Sequence, residues 1–368
     1  MTIKHINYSY SLLSRTFVHV LGEFQVFTEY VKHQKRPCPI YIYAPNWFVQ
    51  HFRTDALWKR AYMLALLRRG IKAEVITETR SVKADDIIIW RPSQSLIPHA
   101  KRFTDDSTRQ WVDMAVQMER RGAKIYPSSK VIAFFENKVN MHTLFCQAGV
   151  RCPLTIIASN TADYNQGIEQ VGFPFIVKGS HSFSSLEIQL IKTQAAADQL
   201  CKELFLKPQI GIPTTTHILR APVIIQQFLN IRRDLRVVFV GDKLIFSYWR
   251  VNSSSDWQPT ATRFGSNVLF EDVPLAWQET IISVVKKIDF PWGAFDVAWE
   301  NDALETEPFI LEVSPCFDPN PPPPEQYKDN YYSFKYEMNI KNNWYFHHWK
   351  SIQEVADSQI NYLLQRLA

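Results

Sequence analysis

The stretch from Phe290 to Pro324, FPWGAFDVAWENDALETEPFILEVSPCFDPNPPPP, decides the fold prediction for this chain. It has the pattern of a β-hairpin with one carboxylate on each strand. Because side chains alternate between the two faces of a strand, Asp296 shares a face with alanines and Glu312 shares a face with Ser314. A symmetric hairpin, closed over a solvated acidic segment at 301–307, sets Asp296 opposite Glu312.

Two facing carboxylates need a compensating group. At about 4 Å and an effective dielectric constant near 20, their repulsion is roughly 4 kcal/mol. Either one of them is protonated, or a cation lies between them. An oxygen-only ligand set favours Mg²⁺, which proteins usually share with substrate phosphates. The alternative is a hairpin whose carboxylates face solvent, and the rest of the chain has to distinguish the two.

The composition is that of a globular protein from a reducing compartment. The chain has 368 residues, 46% of them apolar, which is enough for two or three domains. The net charge of +5 is modest and the basic residues are scattered, so no nucleic-acid-binding stripe is predicted. The five cysteines show neither CxxC nor zinc spacing, and no apolar run approaches the ~20 residues of a membrane span. We expect a cytoplasmic protein without nucleic-acid or membrane partners.

The first third of the chain has the pattern of a parallel α/β domain. Apolar strands are predicted at 39–44, 71–76, 86–90 and 124–127, and helices at 55–69 and 107–121. Strand, helix and strand at this spacing form a βαβ unit. No GxGxxG follows a strand, so a dinucleotide fingerprint is not predicted. Arg91 follows the third strand, where such sheets bind ligands, and is either an anion contact or a solvent-facing arginine.

Two lysines lie where phosphate groups commonly bind. Asn137 is a good N-cap, which puts Lys138 in the first turn of a helix, where the helix dipole disfavours a cation. Broken local rules tend to mark function, so Lys138 is either a phosphate ligand or an exposed lysine. Lys178 lies near the end of the apolar strand 173–179, before the small-residue loop 180–185, whose backbone N–H groups could approach an anion.

In chain order, these features resemble the ATP-grasp superfamily, and within it the carboxylate–amine ligases. D-alanine–D-alanine ligase and the ligases that add glutamate to ribosomal protein are of this type. The resemblance, between about residues 127 and 319, rests on Lys138, Lys178 in PFIVK, the hinge strand 226–229, the strand Asp234-Leu235-Arg236, and Asp296 followed by Glu312-Val313-Ser314. It implies an α/β fold in which α+β ATP-grasp domains follow a Rossmann-like parallel α/β domain.

The resemblance also implies a division of the chain. The segments are an N-terminal amphipathic extension at 1–36 that packs on the body, the Rossmann-like domain at 37–130, an ATP-grasp small or lid subdomain at 131–229, a catalytic subdomain at 230–340, and a C-terminal helical segment at 341–368.

The cofactors that the resemblance implies are ATP and Mg²⁺. The residues expected to bind ATP are Lys138, Lys178, Gln226, Gln227, Leu229, Asp234 and Arg236. The residues expected to hold Mg²⁺ are Asp296, Glu312 and Ser314. Candidates to contact the substrate carboxylate or the acyl-phosphate, in or near a long loop at 252–266, are Arg250, Arg263 and Asn267.

Three departures from the family pattern leave the activity open. Gln227 replaces the usual hinge acid, the small-residue loop carries bulky Phe183, and Ser314 replaces the usual Asn. The leading prediction is an ATP-dependent ligase that joins a small-molecule or peptide carboxylate to an amine through an acyl-phosphate. A phosphotransferase and a catalytically degraded nucleotide-binding scaffold are the alternatives. A homodimer is compatible with the sequence, and the substrates cannot be read from it.

Overall fold

The computed structural model describes residues 3–32, 35–45, 54–92, 105–181, 187–206, 219–252, 254, 256–261, 264–322, 326 and 344–367, with side chains of the first helix from residue 16 onward. The chain divides into two compact units. The first consists of Met1–Pro98, Trp111–Ile132 and Cys316–Ala368, and the second of His99–Gln110 and Ala133–Pro315. The five-segment division stays a prediction.

The α-helices and strands follow one another along the chain within these described ranges. The helices are α1 (Ile3–Lys32), α2 (Thr54–Arg68), α3 (Asp105–Glu119), α4 (Ser129–Ile132), α5 (Lys138–Gln147), α6 (Thr161–Val171), α7 (Gln194–Cys201), α8 (Leu275–Ile288) and α9 (Trp344–Gln365). The strands are β1 (Ile40–Tyr43), β2 (Glu74–Ile76), β3 (Ile87–Ile89), β4 (Lys124–Tyr126), β5 (Thr155–Ala158), β6 (Phe175–Gly179), β7 (Ile188–Ile191), β8 (Val223–Gln227), β9 (Arg233–Val240), β10 (Lys243–Val251), β11 (Asn267–Leu269), β12 (Trp292–Ala298) and β13 (Phe309–Ser314).

The first unit is built on a parallel sheet, as the βαβ spacing predicts. Its strands lie in the order β2-β1-β3-β4, and every pairing is parallel. All three residues of β3 are buried, and strands pair with both of its edges. Helix α2 ends where expected, and Gly70 follows with a φ of 69°, which a glycine adopts without steric cost. Helices α1 and α9 both pack on α2.

Arg91 is an internal cation of the first unit. It donates to the carbonyl oxygen of Phe317 at 2.7 Å and to the Asp318 carboxylate at 3.0 Å. Its guanidinium also lies over the Trp58 ring, 4.9 Å from the centroid. Both sequence interpretations of Arg91 are therefore corrected, because these contacts leave it neither facing solvent nor free for an external anion.

The second unit contains two antiparallel sheets. The smaller one has the strand order β5-β8-β6-β7, and α6 and α7 share with it a core that includes Tyr164, Phe175 and Val223. The sequence predicted a strand at 173–179, which is β6, and a hinge strand at 226–229, which overlaps the end of β8, but β5, α6 and α7 were not predicted. The larger sheet has the order β11-β10-β9-β12-β13.

The carboxylate hairpin forms the edge of the larger sheet. Strand β12 pairs antiparallel with β13, and Asp296 is the register partner of Glu312, which confirms the predicted arrangement. A register shift follows Asp296. Asn301, with a φ of 54°, lies in a short 3₁₀ turn, so the acidic loop is partly structured. All seven residues of β12 are buried, and strands β9 and β13 pair with its two edges.

The described helices include none with both the length and the hydropathy that crossing a bilayer requires.

Candidate active site

Lys178 belongs to a hydrogen-bonded chain that crosses three strands of the smaller sheet. Its Nζ donates to Oε1 of Gln226 on β8 at 2.7 Å. The side-chain amide of Gln226 donates in turn to Oγ1 of Thr155 on β5 at 2.9 Å. Burial, assisted by the positive charge of Lys138, lowers the pKa of Lys178 to about 8. The hydrogen bond to Gln226 therefore holds the Lys178 ammonium in place, although burial disfavours its charged form. A bound anion would favour the protonated form again.

Lys138 lies at the start of α5, as predicted. Asn137 caps the helix, its side chain accepting from the backbone N–H of Asn140 at 3.0 Å. Lys138 is 7% exposed, so the alternative of an exposed lysine is wrong. Its backbone N–H donates to the carbonyl oxygen of Ser180 at 2.9 Å, which ties the helix start to the chain just after Lys178. Phe183 and most of the small-residue loop lie outside the described residues.

Both lysines line one cleft within the second unit. The cleft is open to solvent, and it holds about 360 Å³ of empty space when that adjoining solvent is counted. Its walls combine apolar and polar groups, and the lining residues are Lys138, Met141, His142, Phe145, Cys152, Thr155, Lys178, Ile224, Gln226, Leu311 and Glu312. Two cations and one carboxylate therefore converge on a space with mixed apolar and polar walls, a composition that suits a nucleotide.

A four-residue charge network, Asp234, Arg250, Asp296 and Arg236, lies on the larger sheet beside Glu312. Arg236 donates to both oxygens of Asp296, at 2.8 and 2.9 Å. Arg250 bridges the two acids, donating from Nε to Asp234 at 2.8 Å and lying 2.9 Å from Asp296 through its terminal nitrogen. Strand register explains the pairing. Arg250 on β10 is the register partner of Asp234 on β9, and Asp296 on β12 is the register partner of Arg236 on β9.

The network compensates the charge of Asp296 but leaves Glu312 open. Burial opposes ionisation of Asp296, but the positive charges of Arg236 and Arg250 outweigh it and hold the pKa of this carboxyl well below its usual range. Within the described part of the chain, the Glu312 carboxylate forms no hydrogen bond or ion pair. Of the two hairpin carboxylates, Glu312 is the one that retains free acceptor capacity.

The oxygens of the hairpin fit a hard divalent cation. Asp296 and Glu312 are register partners, and Ser314 lies two residues along β13, on the same face as Glu312. Carboxylate and hydroxyl oxygens are ligands that Mg²⁺ accepts. Ser314 is 9% exposed, so its hydroxyl is sheltered from bulk water. Among the described residues, no group of three or more His, Cys, Asp or Glu side chains forms a metal cage. Any metal here therefore needs ligands from a substrate or from water.

Glu136 is a candidate functional residue that sequence analysis missed. Its φ of 52° is in the left-handed region, which is uncommon for a residue with a side chain and often marks a functional site. Its Oε2 atom is buried and has no hydrogen-bond partner in the described structure. Burial raises the pKa of Glu136 to about 8, with a further contribution from the negative charge of Glu312. The sequence signal was an acid two residues before Lys138.

The other predicted site residues have varied surroundings. Gln227 uses both its backbone and its side chain to bond Leu154, at 2.8 and 3.2 Å. Leu229 is buried and its carbonyl oxygen accepts from the backbone of residue 231. Asn267 begins β11, opposite residue 251 of β10. Arg263 lies outside the described residues, so the structure gives it no place in the site.

The sequence of the second unit matches a known family. Residues 135–281 match the family model of the RimK-like ATP-grasp domain. This part of the chain, about two fifths of its length, is similar to a RimK-like ATP-grasp domain. The match contains both lysines and the whole β9–β10 pair, and it ends before the hairpin carboxylates. It confirms the predicted ATP-grasp superfamily of carboxylate–amine ligases and the enzyme class of an ATP-grasp ligase.

Solved structures share the fold of this ATP-grasp chain at low identity. The D-cycloserine synthetase DcsG is 11% identical, with a TM-score of 0.53 over 86% of this chain and 99% of that one. The ATP-grasp ligase PsnB, complexed with a phosphomimetic variant of minimal precursor, Mg and ADP, is 14% identical, with a TM-score of 0.52 over 88% and 98%. The macrocyclase MdnC from Microcystis aeruginosa MRC, bound with precursor peptide MdnA, is 13% identical, with a TM-score of 0.50 over 89% and 100%. No curated protein sequence matches this one significantly. At these identities the likeness shows the fold, which agrees with the predicted α/β class.

Proposed function

We propose that this ATP-grasp chain is an ATP-dependent ligase that joins a carboxylate to an amine through an acyl-phosphate. The observation that carries the proposal is the single cleft that gathers Lys138, Lys178, Gln226 and Glu312 from four separate elements. A buried cation, Lys138, and a half-buried one, Lys178, can stabilise a polyphosphate, and a carboxylate in the same cleft can share a metal with it.

The first step in this proposal is phosphoryl transfer from ATP to a substrate carboxylate. Lys138 and Lys178 hold the phosphates and neutralise the charge that develops on the transferring group. Gln226 keeps the Lys178 ammonium pointing into the cleft through the 2.7 Å hydrogen bond. We propose that Arg236 and Arg250 on the larger sheet, although paired with Asp296 and Asp234, help to orient the phosphates. We also propose Asn267 and Arg263 as contacts for the acyl donor, and Gln227, Leu229 and Asp234 as groups on the nucleotide side.

Mg²⁺ is the cofactor that this site fits. Glu312, Asp296 and Ser314 would hold it, and when bound it would neutralise phosphate charge during transfer. Glu312 would be the main protein ligand, since both oxygens of Asp296 already accept from arginines. Ser314 offers a neutral hydroxyl, which is better suited to hydrogen-bond a metal-bound water than to bind the metal directly.

In the second step a neutral amine would attack the acyl carbon of the acyl-phosphate, and inorganic phosphate would leave as the carbon–nitrogen bond forms. The Glu136 carboxyl, with a buried unpaired oxygen and a pKa of about 8, is suited to accept the proton that an ammonium must lose. We therefore propose Glu136 as the general base. PsnB and MdnC were solved with precursor peptides and DcsG is a D-cycloserine synthetase, which supports a peptide or small-molecule substrate for this chain.

The test is release of inorganic phosphate from ATP in the presence of pooled carboxylates and amines. We expect release that needs both a carboxylate and an amine. Glu312→Gln should reduce turnover at least ~100-fold, because a charge at the reacting phosphoryl group is lost. Ser314→Ala should reduce turnover roughly 10-fold, as expected for a group that contacts the metal only through a bound water. Glu279→Gln, an exposed carboxylate on α8, is the matched control and should leave turnover unchanged.

Each alternative function gives a different result in this assay. A phosphorylated acceptor formed without any amine would show a phosphotransferase. Nucleotide binding with no turnover in any pool would favour the scaffold. One structural observation favours that alternative, namely that two arginines neutralise Asp296. Equal losses for Glu312→Gln and Ser314→Ala would contradict the proposed ranking of metal ligands.

A further inference from the structure

Helix α1 has two apolar faces, and the first unit covers one of them. Val18 and Val26 are buried, and an added Cβ at Gly22 would lie 3.0 Å from Arg60 and 3.4 Å from Trp349. This inner face packs on α2 and α9. It accounts for the predicted packing of the extension on the body, but most of the described large apolar side chains of the helix do not belong to it.

The outer face displays an uncovered stripe of large apolar side chains. Its five members are between 61% and 63% exposed: Phe17, Val20, Phe24, Phe27 and Val31. At 100° per residue they lie within about 80° of one another, on the side of α1 opposite Val18 and Val26. Such a stripe is unusual, since large exposed apolar patches on soluble proteins mark interaction sites.

The stripe has the spacing of a coiled coil. Its members follow one another at alternating intervals of three and four residues, and the sequence continues the same alternation backwards through Leu13, Tyr10 and Ile6. An apolar pattern of this kind over four heptads is the signature of a helix that pairs with another helix along its length. A helix that packed only on the body of the chain would need one apolar face, and not a second one with heptad spacing.

The positions that border the stripe do not oppose pairing. They are occupied by small or neutral residues, namely Asn7, Ser9, Ser14, Thr16, Leu21, Thr28 and Tyr30, and by one acid, Glu23. The Glu23 carboxylate is compensated by Arg60 of the same chain at 2.6 Å. Two copies of α1 can therefore approach each other without facing like charges, whereas a charged partner helix would find no complementary charge beside the stripe.

We propose that the outer face of α1 is the interface at which a second copy of this chain binds, helix α1 against helix α1. A twofold axis makes such an interface self-complementary. With ~200 Å² for a fully exposed Phe side chain and less for Val, the five exposed fractions sum to roughly 500 Å² per chain. Two copies thus bury roughly 1,000 Å², the size at which specific interfaces begin.

The test is sedimentation equilibrium of the full chain across micromolar concentrations. We expect the wild-type protein to be a dimer, and Phe24→Glu with Phe27→Glu to raise the dimer dissociation constant at least ~100-fold, because each copy would bury two unpaired charges. Phe24→Ser with Phe27→Ser, which adds no charge, should weaken the dimer less. Leu275→Glu is the matched control, since Leu275 is 86% exposed on α8, and it should remain dimeric.

Two results would overturn the proposal. One is a wild-type protein that stays monomeric throughout, including a monomer that instead binds vesicles of phosphatidylserine and phosphatidylcholine through this stripe. The other is a glutamate double variant that dimerises as well as the wild type while its circular-dichroism melting curve is unchanged. Loss of the dimer in that variant with an unchanged melting curve supports the proposal.

Discussion

The affinity for ATP should fall as the pH rises from 7 to 9, because Lys178 loses its proton in this interval. Burial and the charge of Lys138 lower the pKa of Lys178 to about 8, and a phosphate oxygen binds the ammonium far better than the neutral amine. The perturbation that tests this reasoning is Lys178→Arg, since a guanidinium stays charged throughout the range.

The size of the effect follows from the titration. If only the protonated lysine binds phosphate, the apparent dissociation constant scales with one plus the ratio of neutral to charged lysine. With a pKa of about 8 for Lys178, that factor is ~1.1 at pH 7 and ~11 at pH 9, a tenfold loss of affinity. A lysine with the ordinary pKa of ~10.4 would change the factor by only a few per cent over the same range.

The assay is isothermal titration calorimetry with a non-hydrolysable ATP analogue and Mg²⁺. Glu136 also titrates near pH 8 and would add a negative charge close to Lys138, so both proteins are measured in a Glu136→Gln background. The protein with Lys178 should lose about tenfold in affinity and take up nearly one proton on binding at pH 9. The Lys178→Arg protein should show a flat profile, whatever its absolute affinity.

Two outcomes would refute this account of Lys178. A flat profile in the protein that retains Lys178 would mean that its pKa is not lowered or that it does not contact the phosphates. An equal slope in the Lys178→Arg protein would assign the pH dependence to a different group.

Three further predictions concern the surroundings of the site. Arg250→Ala should lower the free energy of unfolding by roughly 3–5 kcal/mol in chemical denaturation, because it removes a half-buried cation and leaves the buried Asp234 carboxylate without its partner; a loss below ~1 kcal/mol would contradict this. Gly179→Ala should weaken nucleotide binding and lower the melting temperature, since the added Cβ would lie 2.2 Å from the Glu187 carboxylate; unchanged melting would show that this carboxylate moves aside without cost. Glu136→Gln should become more stable relative to the wild type as the pH rises from about 4.5 to 8, because the folded carboxyl keeps a proton that the unfolded one has lost; denaturation curves at several pH values with a constant difference would count against the raised pKa.

Much of the site was open to prediction because its signals are local. The N-cap at Asn137 placed Lys138 at a helix start, and the small-residue loop drew attention to Lys178. Period-two alternation set Asp296 opposite Glu312, as the strand register confirms. Each of these inferences needs only a few consecutive residues, and neighbouring backbone groups enforce them.

Other features of the site could not be read from the sequence, because they depend on contacts across strands. Asp296 was predicted as a metal ligand, but no local pattern indicated that Arg236 and Arg250 both bind it. That pairing follows from β10, β9 and β12 lying side by side. Glu136 was missed for a related reason. Its burial and its nearness to Glu312 arise only when the start of α5 and strand β13 come together.

The sequence alone determined the periodic elements, the turns and the order of the family's motifs, because hydrophobic periodicity, capping and glycine conformation act over a few residues. It also contained the heptad of α1, but not which apolar face of that helix the body would cover. The tertiary structure decided that Phe24 and Phe27 remain exposed while Val18 is buried, because only packing against α2 and α9 distinguishes the two faces. It likewise set the pKa of Lys178, since burial and the charge of a residue forty positions away are properties of the folded chain.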